Sequence, residues 1–201
     1  MIQEILKSPL IKTAGNVWHQ ATRADFLDAL GNSTLPREAF QRWLEQDYIF
    51  LRSRISFQSI AAAKTPRPAQ KILIAGLAAL DRETDWFEAG ASHFHCNLNT
   101  LPHQTCQRYT DFLLASAYTK PFERLLAILF AVEAAYLIAW SALPAQGTFA
   151  EFIRHWSSPQ FQNYVYELHL CVDQHKHPEQ QNDFNRVLHH ERDFWKMTWE
   201  G

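Results

Sequence analysis

The chain has 201 residues, 47% of them apolar and 20% charged, which is enough to bury a sizeable core and ordinary for a soluble globular protein. A formal net charge of -2 leaves no electrostatic footprint for nucleic acid or for an acidic membrane surface. Cys96, Cys106 and Cys171 form no CxxC pair and leave one over, and the N-terminal MIQEILKSPLIK lacks an export signal, so a cytoplasmic setting is expected. Glycine is scarce at 6 residues and apolar positions recur at helical spacing. The fold class expected is all-α: one helical-bundle domain over residues 1–201, with roughly eight helices.

In chain order, residues 16–31 form the first amphipathic segment, with Trp18, Ala21, Phe26, Leu27 and Leu30 on its apolar side and a stop at Gly31-Asn32. Thr34-Leu-Pro36-Arg-Glu38 opens a second helix, since a capping Thr or Ser, a proline in the first turn and an early acid suit a helix start. It runs to about Ala63, ahead of Thr65-Pro-Arg-Pro68. A third helix spans residues 70–90, and a shorter one residues 104–117. Residues 122–143, FERLLAILFAVEAAYLIAWSAL, lie between Pro121 and Pro144 and are almost wholly apolar. The length raises the question of a membrane span. A carboxylate in the middle, Glu133, disfavours insertion by about 2.5–3.5 kcal/mol, so the segment reads as a buried core helix. Residues 148–156, 159–175 and 183–199 complete the bundle.

A carboxylate in an apolar helix must find a partner or hold its proton, because an unpaired buried charge is costly. That makes Glu133 a candidate for chemistry. Tyr136 and Trp140 share its face at helical spacing. Three other helices also set an acid one turn from aromatics. Asp47 neighbours Trp43, Phe50 and Leu51, with Arg54 two turns on as its natural counter-ion. Glu83 neighbours Trp86 and Phe87, and Glu191 neighbours Phe194 and Trp195. One such acid is usually a surface residue. Four on four helices suggest an acid-lined, aromatic-walled pocket inside a bundle.

Two metal arrangements compete with a cofactor-free pocket. His93, His95, Cys96, His103 and Cys106 are zinc-competent ligand types, but their spacing fits no standard finger or ribbon. Glu83, Glu133, His169 and Asp173 offer a di-iron set, yet no Glu-x-x-His pair stands at Glu83 or Glu133. The expectation is therefore no metal and no cofactor. No G-x-S-x-G, GK[ST] or GxGxxG occurs, and no cysteine looks like a nucleophile held in a basic setting.

The residues from WHQATRADFLDALGNSTLPREAFQRWLEQDYIFL resemble the opening of the TenA (thiaminase II) family, whose fold is haem-oxygenase-like. Trp18-His19, Leu35-Pro36, Phe40, Trp43, Gln46-Asp47 and Tyr48 stand in its signature places. Trp156-Ser-Ser-Pro159-Gln-Phe161 and Glu191-x-x-Phe194-Trp195-x-Met197 are similar to its later motifs, so the likeness covers essentially the whole chain. Family members of the classical type carry a nucleophilic cysteine four residues before a tyrosine. Tyr136 fits that tyrosine, and Val132 occupies the cysteine position with Glu133 next to it. Phe50 and Phe149 stand where two further pocket tyrosines are expected.

This pattern resembles the branch with glutamate in place of the cysteine, linked to salvage of thiamine's pyrimidine half. The resemblance implies hydrolysis of an aminomethyl- or formylaminomethyl-pyrimidine to the hydroxymethylpyrimidine. In that reading Glu133 activates water or attacks, and Glu191 shuttles protons within a pocket shared with Glu133. Asp47 holds the ring, Glu83 supports, and Phe50, Trp86, Tyr136 and Trp195 supply stacking walls. The partners implied are a small-molecule pyrimidine and further copies of the chain, in a homodimer or homotetramer with Trp199 and Phe152 as exposed contact aromatics. Neither nucleic acid nor a membrane is implied. The alternatives are a non-catalytic ligand-binding or regulatory protein on this fold, or a di-iron oxidase of the same superfamily.

Overall fold

The computed structural model describes residues 1–201 as eleven α-helices and no strand. They are α1 (Ile2–Ile5), α2 (Pro9–Ala14), α3 (Asn16–Thr22), α4 (Asp25–Gly31), α5 (Arg37–Lys64) and α6 (Ala69–Phe94). Then come α7 (Gln104–Thr119), α8 (Phe122–Ser141), α9 (Ala150–Trp156), α10 (Pro159–Gln174) and α11 (Gln180–Glu200). The excess over the expected eight has local causes. The two short N-terminal helices have too few turns to show a periodic pattern. The segment read as one helix over residues 16–31 breaks where Arg23 and Ala24 turn extended.

The long helices start where proline fixes the chain. Pro36, Pro68 and Pro121 each stand immediately before a first turn, where a missing N–H costs nothing, and Pro159 fills the first position of α10 behind a Ser158 cap. Every residue of α8 from Leu125 to Ala135 is buried, Glu133 included. The helix is apolar all round because it is enclosed all round, by α3, α5, α9, α10 and α11. No helix of the protein is long and apolar enough to cross a membrane.

α5 packs along both α6 and α7, so its faces look two ways. Trp43 on α5 meets Trp140 and Trp156, each at 5.4 Å between ring centroids, and these indoles pin α5, α8 and α9 together. Phe152, expected at the surface, is 5% exposed and sits edge-on to Phe40 in this cluster. At the other end Asp183 on α11 accepts from Arg124 Nε and Nη2, at 2.5 and 3.0 Å, and pairs with Lys120 at 3.0 Å. Burial works against its ionisation, but these two cations outweigh it and hold the carboxyl below the usual carboxylate range. That clamp ties α11 to the first turn of α8.

Candidate functional site

A cavity of about 450 Å³ opens between α5, α6, α8, α9 and α10. Three carboxyl groups line it, each from a different helix. Asp47 (α5) is 8% exposed and accepts a 2.9 Å hydrogen bond from the Tyr136 hydroxyl on α8. Glu133 (α8) is 4% exposed and forms a 2.6 Å ion pair with Arg54 on α5. Glu83 (α6) accepts a 2.6 Å bond from the Trp156 indole N–H on α9, with His155 Nε2 4.0 Å away. In each carboxyl one oxygen is held by the protein and the other has no protein partner. Phe50, Trp156 and Phe161 provide apolar walls, and Val132 faces the same space one residue before Glu133.

The electrostatics follow from which acid receives the one buried cation. Helical spacing offers Arg54 to Asp47, but its guanidinium reaches across to Glu133 instead, 79 residues away. Burial alone would lower the Arg54 pKa; the Glu133 carboxylate outweighs that and raises it above its ordinary value. Asp47, left with a hydroxyl donor, is pushed up to about 7 by burial, partly offset by Tyr136 and Arg54. Burial likewise pushes Glu83 up to about 7, against the Trp156 hydrogen bond. Burial lowers His155, so the imidazole beside Glu83 is neutral near pH 7. Near neutral pH the cavity therefore combines an ion pair with two carboxyls poised between their forms, an arrangement suited to moving protons.

The remaining expected site residues fall around this cavity. Glu191 is 4% exposed on α11 and accepts a 2.5 Å hydrogen bond from Tyr109. It does not line the cavity; Tyr109 packs on the lining residue Phe50 at 4.5 Å. Burial pushes Glu191 up to about 8 against that bond, with Asp47 adding to the rise. Trp195 lies outside the lining, stacked on Tyr136 at 5.8 Å and 15°, and so backs the wall that Tyr136 forms. Trp86 is stacked on the rim residue His155 at 4.4 Å and 6°, and faces a smaller apolar cavity of about 250 Å³. Sequence reasoning missed the Arg54–Glu133 pairing, Tyr164, Gln58 and the room that Gly76 leaves. Each arises from contacts between helices, which the pattern along one helix does not disclose.

No group of three or more His, Cys, Asp or Glu side chains lies close enough to hold a metal ion. The histidine- and cysteine-rich loop has other duties. His103 Nδ1 accepts from the Thr105 N–H and caps α7, and buried Cys106 donates to the Gln46 carbonyl. His169 stacks on Phe130, with Asp173 3.6 Å from its Nε2.

These features define a helical bundle of the haem-oxygenase-like type with an acid-lined small-molecule pocket. The chain belongs to the TENA/THI-4/PQQC family, whose model matches residues 11–201. A probable bifunctional TENA-E protein from Glycine max is 23% identical over 202 residues, covering 90% of this chain and 88% of that one. A TenA homologue from Pyrococcus furiosus superposes with a TM-score of 0.89 at 27% identity, covering 99% of this chain and 100% of that one. A putative TenA-like thiaminase from Sulfolobus solfataricus superposes with a TM-score of 0.83 at 18% identity, covering 94% and 93%; that likeness is one of fold.

Proposed function

We propose that this protein is a hydrolase of thiamine-pyrimidine salvage, converting an aminomethyl-pyrimidine, or its N-formyl form, to the hydroxymethylpyrimidine. The observation that carries this reading is Val132 facing the cavity beside the Arg54-paired Glu133. By the resemblance to the family's motif, Val132 takes the place of the thiaminases' nucleophile and cannot form a thiolate, and the Glu133 carboxylate stands next to it. The free Asp47 oxygen accepts from the ring amino group, and Phe50 and Trp156 flank the flat ring. Glu133 removes a proton from water as the water oxygen bonds to the exocyclic carbon. The carbon–nitrogen bond breaks and its electron pair leaves with nitrogen. Glu83, in the lining and still partly protonated near pH 7, supplies the proton that nitrogen needs, and ammonia departs from the amine or formamide from the N-formyl form. Glu191, the shuttle implied by family likeness, does not line the cavity and accepts its hydrogen bond from Tyr109, so it is assigned a supporting role.

The test is incubation with 4-amino-5-aminomethyl-2-methylpyrimidine, its formamide and thiamine, with products followed by mass spectrometry. Hydroxymethylpyrimidine is expected from the amine or the formamide, with little or none from thiamine. Brisk thiamine cleavage would mean that a carboxylate fully replaces sulfur and that the assignment to this branch is too narrow. Tight binding without turnover would make the chain a binding protein. Assembly as a homodimer or homotetramer belongs to the same proposal, and a strictly monomeric species by light scattering at micromolar concentration would remove it.

A further inference from the structure

Gln58 has no exposed surface and joins the Glu133 ion pair to a second polar group on the cavity wall. Its amide orientation is dictated by its neighbours. Nε2 donates to the Leu73 carbonyl at 2.8 Å, a group that can only accept. Oε1 accepts from Arg54 Nη2 at 3.3 Å, a group that can only donate. The second amide hydrogen goes to the hydroxyl oxygen of Tyr164 on α10 at 3.2 Å. Tyr164 is therefore the acceptor in that bond, and its own hydroxyl hydrogen points elsewhere. The residue lines the cavity, and no protein group accepts that hydrogen. Burial, and then the Glu133 charge, raise its pKa above the ordinary phenol value, so the hydrogen stays on.

Three donors on the cavity walls are engaged within the protein: Tyr136 with Asp47, Trp156 with Glu83, and Arg54 Nη2 with Glu133 and Gln58; Arg54 Nε is buried without a partner. Tyr164 thus presents a free O–H in a cavity where Glu133, three hydrogen bonds along the same chain, presents a free carboxylate oxygen. A hydroxyl oxygen suits that pair, because it accepts from one and donates to the other. An ammonium can only donate and leaves the phenol hydrogen unmatched. Gly76 on α6 makes the arrangement possible, since a Cβ built there would overlap both the Tyr164 hydroxyl and the Gln58 amide.

Resting on the pyrimidine reading above, we propose that Tyr164 is a specificity-determining residue that donates its hydroxyl hydrogen to the oxygen on the pyrimidine's side chain, the oxygen that hydrolysis installs, while Glu133 accepts that oxygen's own hydrogen. The test uses two neutral ligands that differ by that one atom, 4-amino-5-hydroxymethyl-2-methylpyrimidine and 4-amino-2,5-dimethylpyrimidine. Their dissociation constants are measured by calorimetry on the wild type, Tyr164→Phe and Gly76→Ala. The wild type is expected to prefer the hydroxymethyl ligand by about tenfold, the worth of a hydrogen bond that would otherwise go unmade. In Tyr164→Phe the ratio falls toward one through loss of affinity for the hydroxymethyl ligand alone. Gly76→Ala does the same by displacing the phenol. An undiminished preference in Tyr164→Phe, or an equal loss for both ligands, overturns the inference while the pyrimidine reading stands. A wild type that binds neither ligand overturns both.

Discussion

Glu133→Gln is expected to lower turnover of the pyrimidine amine by about 10²–10⁴-fold, the usual worth of a general base, and to cost stability as well. The sequence alone suggests that Gln would be tolerated, because it removes a buried charge and keeps the shape. The structure changes that expectation. Arg54 is 7% exposed, and Glu133 is the carboxylate paired with it, so Gln leaves a guanidinium buried without its counter-charge. Breaking one side of such a pair costs about 3–5 kcal/mol. A drop in activity alone would then be ambiguous between lost chemistry and a loosened site. The double variant Arg54→Met/Glu133→Gln separates the two, since it removes both charges and is expected to recover most of the melting temperature. Turnover should stay low in the double variant if Glu133 is the base. Recovery of turnover along with stability would make the ion pair a purely structural device, and full turnover in the single variant would rule Glu133 out.

The ion pair also shows what the sequence can and cannot disclose. Glu133 is conspicuous as the carboxylate in the middle of an apolar helix, and Asp47, Glu83 and Glu191 each betray themselves by an aromatic one turn away. Periodicity assigns a residue to a face of its own helix. It does not say which neighbouring helix that face meets. Arg54 shares a face with Asp47 at a spacing of seven, and only the packing of α5 against α8 hands it to Glu133. Trp86 and Glu83 are neighbours on α6, yet they reach two different cavities, because a spacing of three residues leaves their directions about 60° apart around the helix. Gln58, Gly76 and Tyr164 lie on three helices and make sense only together, so none carries a local signal. For the fold, proline marked the starts of the long helices well, but Thr34, read as a cap, donates back to the Ala29 carbonyl, and Pro36 stands at the start of α5 without a side-chain cap. α1 and α2 were invisible for lack of length, and the break at Arg23 and Ala24 has no glycine or proline to announce it.

The protonation of the buried acids gives the second large expectation. Burial raises Asp47 and Glu83 to about 7 and Glu191 to about 8, from ordinary values of 3.8, 4.5 and 4.5. Between about pH 4 and pH 7–8 the unfolded chain has released these protons and the folded chain still holds them. Stability therefore falls as pH rises through that window and levels off above about pH 8. Each full unit of displacement is worth about 1.4 kcal/mol. Glu83 keeps 20% of its side-chain surface exposed and the three acids share one field, so the combined effect is a few kcal/mol rather than a sum. Asp183 works in the opposite sense: Arg124 and Lys120 hold its pKa down, so its contribution is lost only in acid. The melting temperature should accordingly peak near pH 5 and decline toward pH 8.5. In an Asp47→Asn/Glu83→Gln variant, neutral at every pH at those two positions, most of that decline should vanish, leaving the part that Glu191 contributes. A wild-type melting temperature that stays flat from pH 5 to pH 8.5 would mean that these carboxyls ionise in the folded protein without penalty. Glu83 would then hold no proton near neutrality to hand to a departing amine, and the assignment of leaving-group protonation to it would fail with the pH profile.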